Sequence, residues 1–462
     1  MARLAFPVAT VQVGMMAMGV VDTLMVGRVS TVDLAAVALG HIYFFSVTVF
    51  GIGVLMALDP IVSQGFGAGD RTALFRAVQR GLVLSLGLGA CAGLFLLPGE
   101  AILSALRQPA EVVTVAAGYA RASIPGVFPF FAFVVFRQTL QAVGRVAPIV
   151  WTIVAANVAN LVFNWIFIFG NLGVPPLGAV GSGWASTLAR WLMALVLLGV
   201  AWPVLGPCLR RLHPETLRGA PLARMLRLGL PIGVQFELEF GAFAVVAVLM
   251  GWLGTVAMAS HQVAINLASL TFMVPLGISQ ASAVLVGQEV GRGAPSGARR
   301  AGGAGILLGG GFMCATAAAF LLFPETLARL YSPEPRVVAL AALLIPIAGV
   351  FQVFDGLQVV AAGVLRGVGD TRAPMVVNLL GFWVVGMPVS LLLGFRWGAG
   401  PVGLWWGLAT GLAAVALFLL VRVRIRLGGE LRRLELEDAN LPAASGGIPR
   451  PDAVPTPERD RE

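Results

Sequence analysis

The sequence predicts an all-α membrane protein in which 12 transmembrane helices form two pseudo-symmetric lobes of six helices each. The first observation is composition, because 58% of the 462 residues are hydrophobic and only 11% are charged, against roughly 25% charged in soluble proteins. Mean hydropathy is +0.90, and a water-soluble fold could not bury that much apolar surface. The other two observations are an internal repeat and a regular succession of apolar stretches.

The internal repeat covers about a third of each lobe. Residues 3–69 and 227–293 align without a gap at an offset of 224, which places Pro7 on Pro231. Other identical pairs are Arg3 and Arg227, Gly27 and Gly251, Thr31 and Thr255, Ala35 and Ala259, Gln64 and Gln288, Gly67 and Gly291, and Gly69 and Gly293. Farther along, the motif at 140–148 resembles the motif at 365–374. A period of about half the chain is typical of duplicated lobes in secondary transporters, whereas a period of about 20 to 50 residues indicates a solenoid.

Apolar stretches long enough to cross a bilayer, about 20 residues each, recur six times in each half. They lie near 5–26, 35–62, 78–97, 117–136, 148–169, 182–202, 229–251, 259–287, 302–323, 338–364, 375–394 and 402–421. We therefore predict lobes at 1–203 and 228–422, joined by a cytoplasmic linker at 204–227 that is rich in Arg and Pro. Residues 423–462 form a polar tail for which we expect disorder.

Arginine placement predicts the orientation of the chain in the membrane. The loops after even-numbered stretches are arginine-rich, and the loops after odd-numbered stretches carry few arginines. The arginine-rich loops contain Arg71, Arg76, Arg80, Arg137, Arg145, Arg292, Arg299, Arg300, Arg366 and Arg372. By the positive-inside rule, both termini face the cytoplasm. Six spans per half also make the two halves point the same way, about an axis along the membrane normal.

Composition argues against several other classes of protein. The net charge of +9 arises from Arg alone, since there is no Lys, but these arginines are scattered between apolar stretches and form no nucleic-acid-binding patch. Cys91, Cys208 and Cys314 are far apart and predict neither disulfides nor a zinc site. We see no metal motif, nucleophile elbow or phosphate loop, so we expect no enzyme activity and no cofactor.

Acidic residues inside the apolar stretches are the strongest functional signal. Asp22, Asp59, Glu237, Glu239 and Asp355 all lie there, although a carboxylate at the bilayer centre costs about 2.5 to 3.5 kcal/mol. An ion-coupled carrier needs such groups, because one ion or proton can neutralise them in one state and a substrate in another. The alternatives are structural hydrogen bonding and, for Asp22, a carboxylate at a helix end.

Helical geometry separates and groups these polar residues. Glu237 and Glu239 are about 200° apart on a helix and cannot share a face. Three amides of the fifth stretch do share one face, at spacings of three and seven residues, and they are Asn157, Asn160 and Asn164. In the tenth stretch, Gln352, Asp355 and Gln358 recur every three residues. These two polar stripes line a cavity or, alternatively, provide hydrogen bonds between helices.

Several motifs of this chain resemble those of the multidrug and toxic compound extrusion (MATE) family. The motifs are Val-Asp22-Thr-Leu-Met-Val-Gly27 with residues 33–40, Gly229-Leu-Pro-Ile-Gly with Glu239 eight residues after the proline, Ser260-His-Gln-Val-Ala-Ile-Asn266, and Phe351-Gln-Val-Phe-Asp355 running on to Pro374. The similarity covers all twelve stretches and excludes the tail. This chain has an acid in the seventh stretch and another in the tenth, and this combination is similar to that of the NorM-type branch.

The resemblance implies the architecture and the activity. It implies two six-helix lobes in a V around a central cavity and antiport of cationic amphiphilic molecules against Na⁺ or H⁺. It implies that Asp22 is the cation or proton site of the first lobe, and that Glu239 and Asp355 form that of the second, with Na⁺ as a candidate ligand. Glu237 matches no motif position of the family and the Asp59 position is variable within it, so the resemblance assigns neither residue a role. We expect a monomer in a bacterial-type inner membrane.

Two rival functions follow from other classes of protein. One is a flippase for lipid-linked precursors from the same superfamily, which is expected to have an arginine-lined groove for pyrophosphate; the acids in the spans argue against it. The other is a membrane enzyme, for which the motifs are lacking. A transport assay that imposes a Na⁺ or pH gradient distinguishes the antiporter from both.

Overall fold

The structure, a computed structural model, describes residues 1–210 and 214–434. Within these residues, twelve helices are long and apolar enough to span a membrane, which confirms the predicted number. Numbered span 1 to span 12, they are Ala2–Val26, Thr31–Gly67, Arg71–Leu96, Ala110–Ala142, Ala147–Phe169, Gly178–Val200, Gly219–Trp252, Thr255–Gly291, Pro295–Leu322, Pro335–Gly367, Arg372–Arg396 and Gly400–Gly428. Spans 1 to 6 form lobe 1 and spans 7 to 12 form lobe 2.

Two of the spans are interrupted at prolines, because proline lacks the N–H that continues an α-helix. Span 2 consists of the helices Thr31–Leu55 and Leu58–Gly67, with Pro60 in the first turn of the second helix. Span 4 contains a short 3-10 turn, Ile124–Gly126, around Pro125. The short helices Gly99–Ala105 and Pro324–Arg329 follow spans 3 and 9 at matching places in the two repeats.

Most spans extend beyond the stretches that hydropathy predicts, and two of them enter the segments predicted as linker and tail. Span 7 begins at Gly219, inside the predicted linker, and span 12 continues to Gly428, beyond the predicted tail boundary at 423. A helix satisfies its own backbone hydrogen bonds, so it can continue past the apolar part of the membrane wherever arginine side chains reach water. The remainder of the predicted tail, 435–462, lies outside the described residues.

Lobe 1 contacts lobe 2 along two pairs of spans that the repeat relates to each other. Span 1 packs on span 8, and span 2 packs on span 7. A Cβ atom added to Gly53 would lie 2.6 Å from Gly233 Cα, and one added to Gly277 would lie 2.6 Å from Ala9 N. The offset of 224 converts the first contact into the second. The internal repeat therefore predicts not only similar lobes but also a nearly symmetric interface between them.

Spans 2 and 8 also make a symmetric pair of contacts where they end. A side chain at Gly67 would collide with the carbonyl oxygen of Gln288, and one at Gly291 would collide with that of Gln64. Only glycine allows two helix backbones to approach this closely. The interface is closed at the end of the lobes where spans 2, 4, 8 and 10 finish.

Two glutamine side chains complete this closure. Gln64 Nε2 donates to Gly367 O at 2.9 Å, and Gln288 Nε2 donates to Ala142 O at 2.8 Å. Each bond joins one lobe to the other, and the two acceptors occupy matching positions of the second repeated motif. The closed end carries the arginine-rich loops, so the positive-inside prediction assigns it to the cytoplasm.

Candidate functional site

The acid of span 1 lies in a polar site inside lobe 1. Asp22 is 3% exposed. Its Oδ1 accepts a hydrogen bond from Asn164 Nδ2 at 2.6 Å, and its Oδ2 accepts one from Ser186 Oγ at 2.6 Å. In the described part of the chain, its hydrogen-bond partners are thus neutral groups of spans 5 and 6. Among the described residues, no arginine contacts this carboxyl group directly.

The predicted amide face of span 5 does point at span 1. Asn164 Nδ2 also donates to Asn160 Oδ1 at 3.1 Å, and both side chains are fully buried. Asn157 lies two helical turns before Asn164, and its Nδ2 donates to Gly14 O at 2.9 Å. Asn160 and Asn164 therefore belong to the carboxylate site, whereas Asn157 holds spans 1 and 5 together. Whether they also contact a substrate stays a prediction.

Three residues near Asp22 are absent from the set predicted from sequence. Ser186 is its direct partner, and Arg190 lies one helical turn farther along span 6, where its guanidinium carbon is 4.0 Å from the centre of the Phe44 ring. Tyr119 is fully buried with a hydroxyl that has no hydrogen-bond partner among the described residues. Arg190 could have been found, because it is a charged residue inside an apolar stretch. Ser186 and Tyr119 carry no comparable signal.

The acids of spans 7 and 10 meet inside lobe 2. Gln358 Nε2 donates to Glu239 Oε1 at 3.1 Å and to Asp355 Oδ1 at 3.1 Å, so one amide group bridges the two carboxylates. Asp355 is 6% exposed and Gln358 is fully buried. The predicted polar stripe of span 10 thus brings its acid and one of its glutamines together with Glu239. Like charges this close repel each other unless a cation or proton lies between them.

Gln352, the remaining member of the stripe, is fully buried and bonds to other spans of lobe 2. Its Oε1 accepts a hydrogen bond from Thr271 Oγ1 at 2.8 Å and from Thr316 Oγ1 at 3.4 Å. The bonds connect span 10 to spans 8 and 9. This arrangement corresponds to the helix-packing alternative, while a role in lining a cavity stays a prediction.

Asp59 and Glu237 are separate from both carboxylate sites. Asp59 Oδ2 lies 3.3 Å from Arg366 Nε, and both side chains are buried between the lobes. Asp59 is therefore paired with an arginine of the opposite lobe. Glu237 is half-buried one turn after Gly233, on the face of span 7 that contacts span 2. As predicted, it does not share a face with Glu239.

The two carboxylate sites are not copies of each other. The offset of 224 places Val246 at the position of Asp22 and Met15 at the position of Glu239. The repeat thus duplicates the scaffold and the interface but not the acids. Each lobe carries its own buried site, made from different spans.

Both sites have the chemistry of a small-cation site. Carboxylate, amide and hydroxyl oxygens are the ligands that hard cations prefer, and a single proton also suffices to neutralise a carboxylate. Two similar lobes of six spans, with buried acids in the spans, are the architecture of a secondary transporter. The chain belongs to the MATE family, since the family model MatE matches residues 7–166 and 231–392.

The two matched segments begin at Pro7 and Pro231, the same offset that the internal repeat gives. The chain is 37% identical to a "Probable multidrug resistance protein NorM" of Mesorhizobium japonicum, over 91% of this chain and 92% of that protein. It is 36% identical to "Multidrug resistance protein PmpM" of Pseudomonas aeruginosa, over 96% of this chain and 95% of that protein. These relatives confirm the predicted NorM-type branch.

Solved structures share the fold. The eukaryotic MATE transporter AtDTX14 superposes with a TM-score of 0.83 at 24% sequence identity, over 92% of this chain and 98% of that one. A MATE family transporter described as outward-facing gives a TM-score of 0.83 at 20% identity, over 92% of this chain and 95% of that one. The predicted pair of six-helix lobes in a V is thereby confirmed.

Proposed function

We propose that this protein is a cation-coupled antiporter that exports cationic amphiphilic molecules by alternating access. The observation that carries the proposal is the state of its acids: Asp22, Glu239 and Asp355 are held inside the spans by neutral amide and hydroxyl groups. A carboxylate already paired with arginine has no need of another cation. These three remain available to Na⁺, to H⁺ or to a cationic substrate.

The coupling follows from the charge of each site. When Na⁺ or H⁺ enters from outside and neutralises a site, the attraction for a bound cationic substrate disappears, and the substrate leaves. Neutralisation also removes the cost of enclosing a charge, which favours rearrangement of the lobes. When the lobes close at one end and open at the other, the ion is released on the cytoplasmic side. Asp22 and the Glu239–Asp355 pair can each contribute one such exchange.

The energy available is sufficient for efflux. One elementary charge that crosses the membrane yields about 2.3 kcal/mol per 100 mV. This corresponds to roughly a 50-fold concentration ratio of substrate. The relatives' names as multidrug resistance proteins support drug export over lipid flipping. We place the protein in the bacterial inner membrane as a monomer with both termini in the cytoplasm.

Inverted membrane vesicles from a host without its own efflux pumps provide the test. Ethidium would be loaded, and its movement would be followed by fluorescence while a Na⁺ gradient or a pH gradient is imposed in separate runs. We expect one of the two gradients to drive ethidium transport. The same assay on Asp22→Asn, Glu239→Gln and Asp355→Asn should show loss of transport at wild-type protein levels.

Glu325→Gln is the control, because this exposed acid pairs only with Arg329 on the surface among the described residues. It should transport like the wild type. Indifference of the wild type to both gradients would contradict ion coupling. Normal transport by Glu239→Gln and Asp355→Asn would contradict the assignment of the second site while leaving antiport intact.

A further inference from the structure

After span 12 ends at Gly428, the chain continues across the closed end of the two lobes. We call residues 429–434 the strap; they have no helical structure. The end of span 12, from which the strap continues, is held by Arg299, whose Nε donates to Leu427 O at 2.6 Å and whose Nη2 donates to Gly428 O at 3.3 Å. Leu431 packs against the apolar core of lobe 2.

The end of the strap contacts lobe 1. Arg433 Nη2 lies 2.7 Å from Asp70 Oδ2, and the Leu434 amide donates to Gln64 Oε1 at 2.7 Å. Asp70 is itself fixed, because its Oδ1 caps span 3 by accepting from the Ala73 amide at 3.0 Å. The strap thus makes a charge-assisted bond and a backbone bond to the opposite lobe.

The Leu434 side chain occupies the space above a glycine of lobe 2. A Cβ atom added to Gly369 would lie 2.8 Å from Leu434 Cδ2. This same residue donates its amide to lobe 1, so a single leucine contacts both lobes. Movement of the lobes away from each other at this end would break either its packing or its hydrogen bond.

Gln64 connects the strap with the interface beneath it. Its Nε2 donates to Gly367 of lobe 2, and its Oε1 accepts from Leu434. Both groups of one buried side chain are therefore used to join the lobes. Opening this end would break both bonds of the Gln64 amide at once.

The strap breaks the symmetry of the repeat. Gln288, the counterpart of Gln64, makes the matching bond to Ala142, but the described residues supply no chain segment that bonds its Oε1. The position that corresponds to Asp70 is Ala294. The acid that receives the strap is therefore present only in the copy that the strap reaches.

From these contacts we infer that the strap is a built-in latch that favours the conformation in which the lobes are closed at this end. It is released each time the lobes separate there. Because this inference concerns the lobes and not the cargo, it stands whether or not the proposed substrates are correct.

The test measures how often the closed end opens. In full-length protein whose three native cysteines are replaced by Ala, Ser63→Cys introduces a thiol that is fully buried between the lobes. Its rate of alkylation by a water-soluble maleimide, measured in lipid nanodiscs, reports opening. We compare a chain that ends at 429, which lacks all but the first residue of the strap, with a chain that ends at 434, which retains all of it.

We expect the chain that ends at 429 to react about 5 to 30 times faster than the full-length protein, and the chain that ends at 434 to react at the full-length rate. Asp70→Asn, which keeps the cap of span 3, and Arg433→Gln should each accelerate alkylation, with no further effect when combined. Equal rates in all proteins would overturn the inference. So would equal acceleration in both truncated chains, because the effect would then belong to residues 435–462.

Size-exclusion elution and the unfolding temperature in detergent show whether each variant is folded. If the chain that ends at 429 does not fold, the two single substitutions alone decide the question. They alter only surface groups that are about one-third exposed. Unchanged alkylation in both would then refute the latch.

Discussion

Asp59 of lobe 1 and Arg366 of lobe 2 form an ion pair in which side chains only 2% and 6% exposed meet at 3.3 Å. The pair lies between spans 2 and 10, just beneath the Gln64 bond to Gly367. A second buried arginine, Arg137, belongs to lobe 1, and it bonds to Gln12 Oε1 at 2.9 Å. The described residues therefore place two guanidinium groups, those of Arg366 and Arg137, near the carboxylate of Asp59.

This surplus of positive charge predicts unequal effects of breaking the pair. Asp59→Asn leaves two buried guanidinium groups, which cannot lose their protons, and should destabilise the protein by about 3 kcal/mol or more. Arg366→Gln leaves a carboxyl group that can take up a proton, so its cost should be smaller. Thermal unfolding in detergent measures both. Glu100→Gln, which breaks an exposed pair with Arg121, should change stability by less than about 1 kcal/mol.

An equal loss in Asp59→Asn and Arg366→Gln would contradict this account. An exchange of charges, Asp59→Arg with Arg366→Asp, should recover part of the stability that each single exchange loses. No recovery would show that the local packing, and not the attraction between opposite charges, holds the two side chains.

Removing the shared amide of lobe 2 should strengthen ion binding and slow turnover. Gln358 donates to both Glu239 and Asp355, and without this donor the two carboxylates depend more on a cation or proton. Gln358→Met preserves the volume approximately. It should lower the half-saturating concentration of the coupling ion by about 10-fold or more, since hydrogen bonds to charged groups contribute about 1.5 to 3 kcal/mol.

Transport as a function of Na⁺ or H⁺ concentration provides the measurement. Gln262→Met is the matched control, because this exposed amide of span 8 bonds to Asn266 and not to the acids. An unchanged or higher half-saturating ion concentration in Gln358→Met, or the same shift in both variants, would exclude Gln358 as the group that adjusts ion affinity.

Loss of the amide that donates to Asp22 should impair the carboxylate site of lobe 1 and not that of lobe 2. Asn164→Ala removes one of two hydrogen bonds at 2.6 Å to a buried carboxylate, and we expect at least about a 10-fold loss of transport. Ser186→Ala should have a similar effect. Asn171→Ala, an exposed amide that bonds to Trp165 O, serves as the control. Wild-type transport in Asn164→Ala would remove the amides of span 5 from the mechanism.

The contact between strap and lobe 1 should be insensitive to physiological pH. Partial burial raises the pKa of Asp70, but the Ala73 amide and the Arg433 guanidinium outweigh this effect and hold the pKa below its ordinary value of 3.8. Because the folded-state pKa is lowered, the stabilisation is fully present above the ordinary value and is lost as pH falls through the lowered one.

Alkylation of Ser63→Cys measures this directly, after correction for the reactivity of a free thiol at each pH. We expect the ratio of rates between Asp70→Asn and the parent protein to stay constant from about pH 6 to about pH 8. A ratio that falls towards one at the acidic end of that range would show that Asp70 titrates near neutrality and would contradict the ion pair with Arg433.

Some residues of the site could be predicted from the sequence, because local properties of the chain are enough to identify them. Asp22, Glu239 and Asp355 stand out as acids in apolar stretches, and the spacing of Asn160 and Asn164 places them on one helical face. In contrast, Ser and Tyr are common in membrane spans. The roles of Ser186 and Tyr119 become evident only from where they lie relative to Asp22 and its surroundings. The partner of Asp59 is more than 300 residues away, and no local pattern connects the two.

Hydropathy and the internal repeat by themselves determined that the chain crosses the membrane twelve times in two similar lobes. The physical reason is that burial in lipid acts on each stretch separately, and duplication preserves the order of the stretches. Only the tertiary structure decided which acids are left with neutral partners, which one is paired across the lobes, and where the strap binds. Those outcomes depend on distances between segments far apart in sequence, and such distances are fixed by packing rather than by local composition.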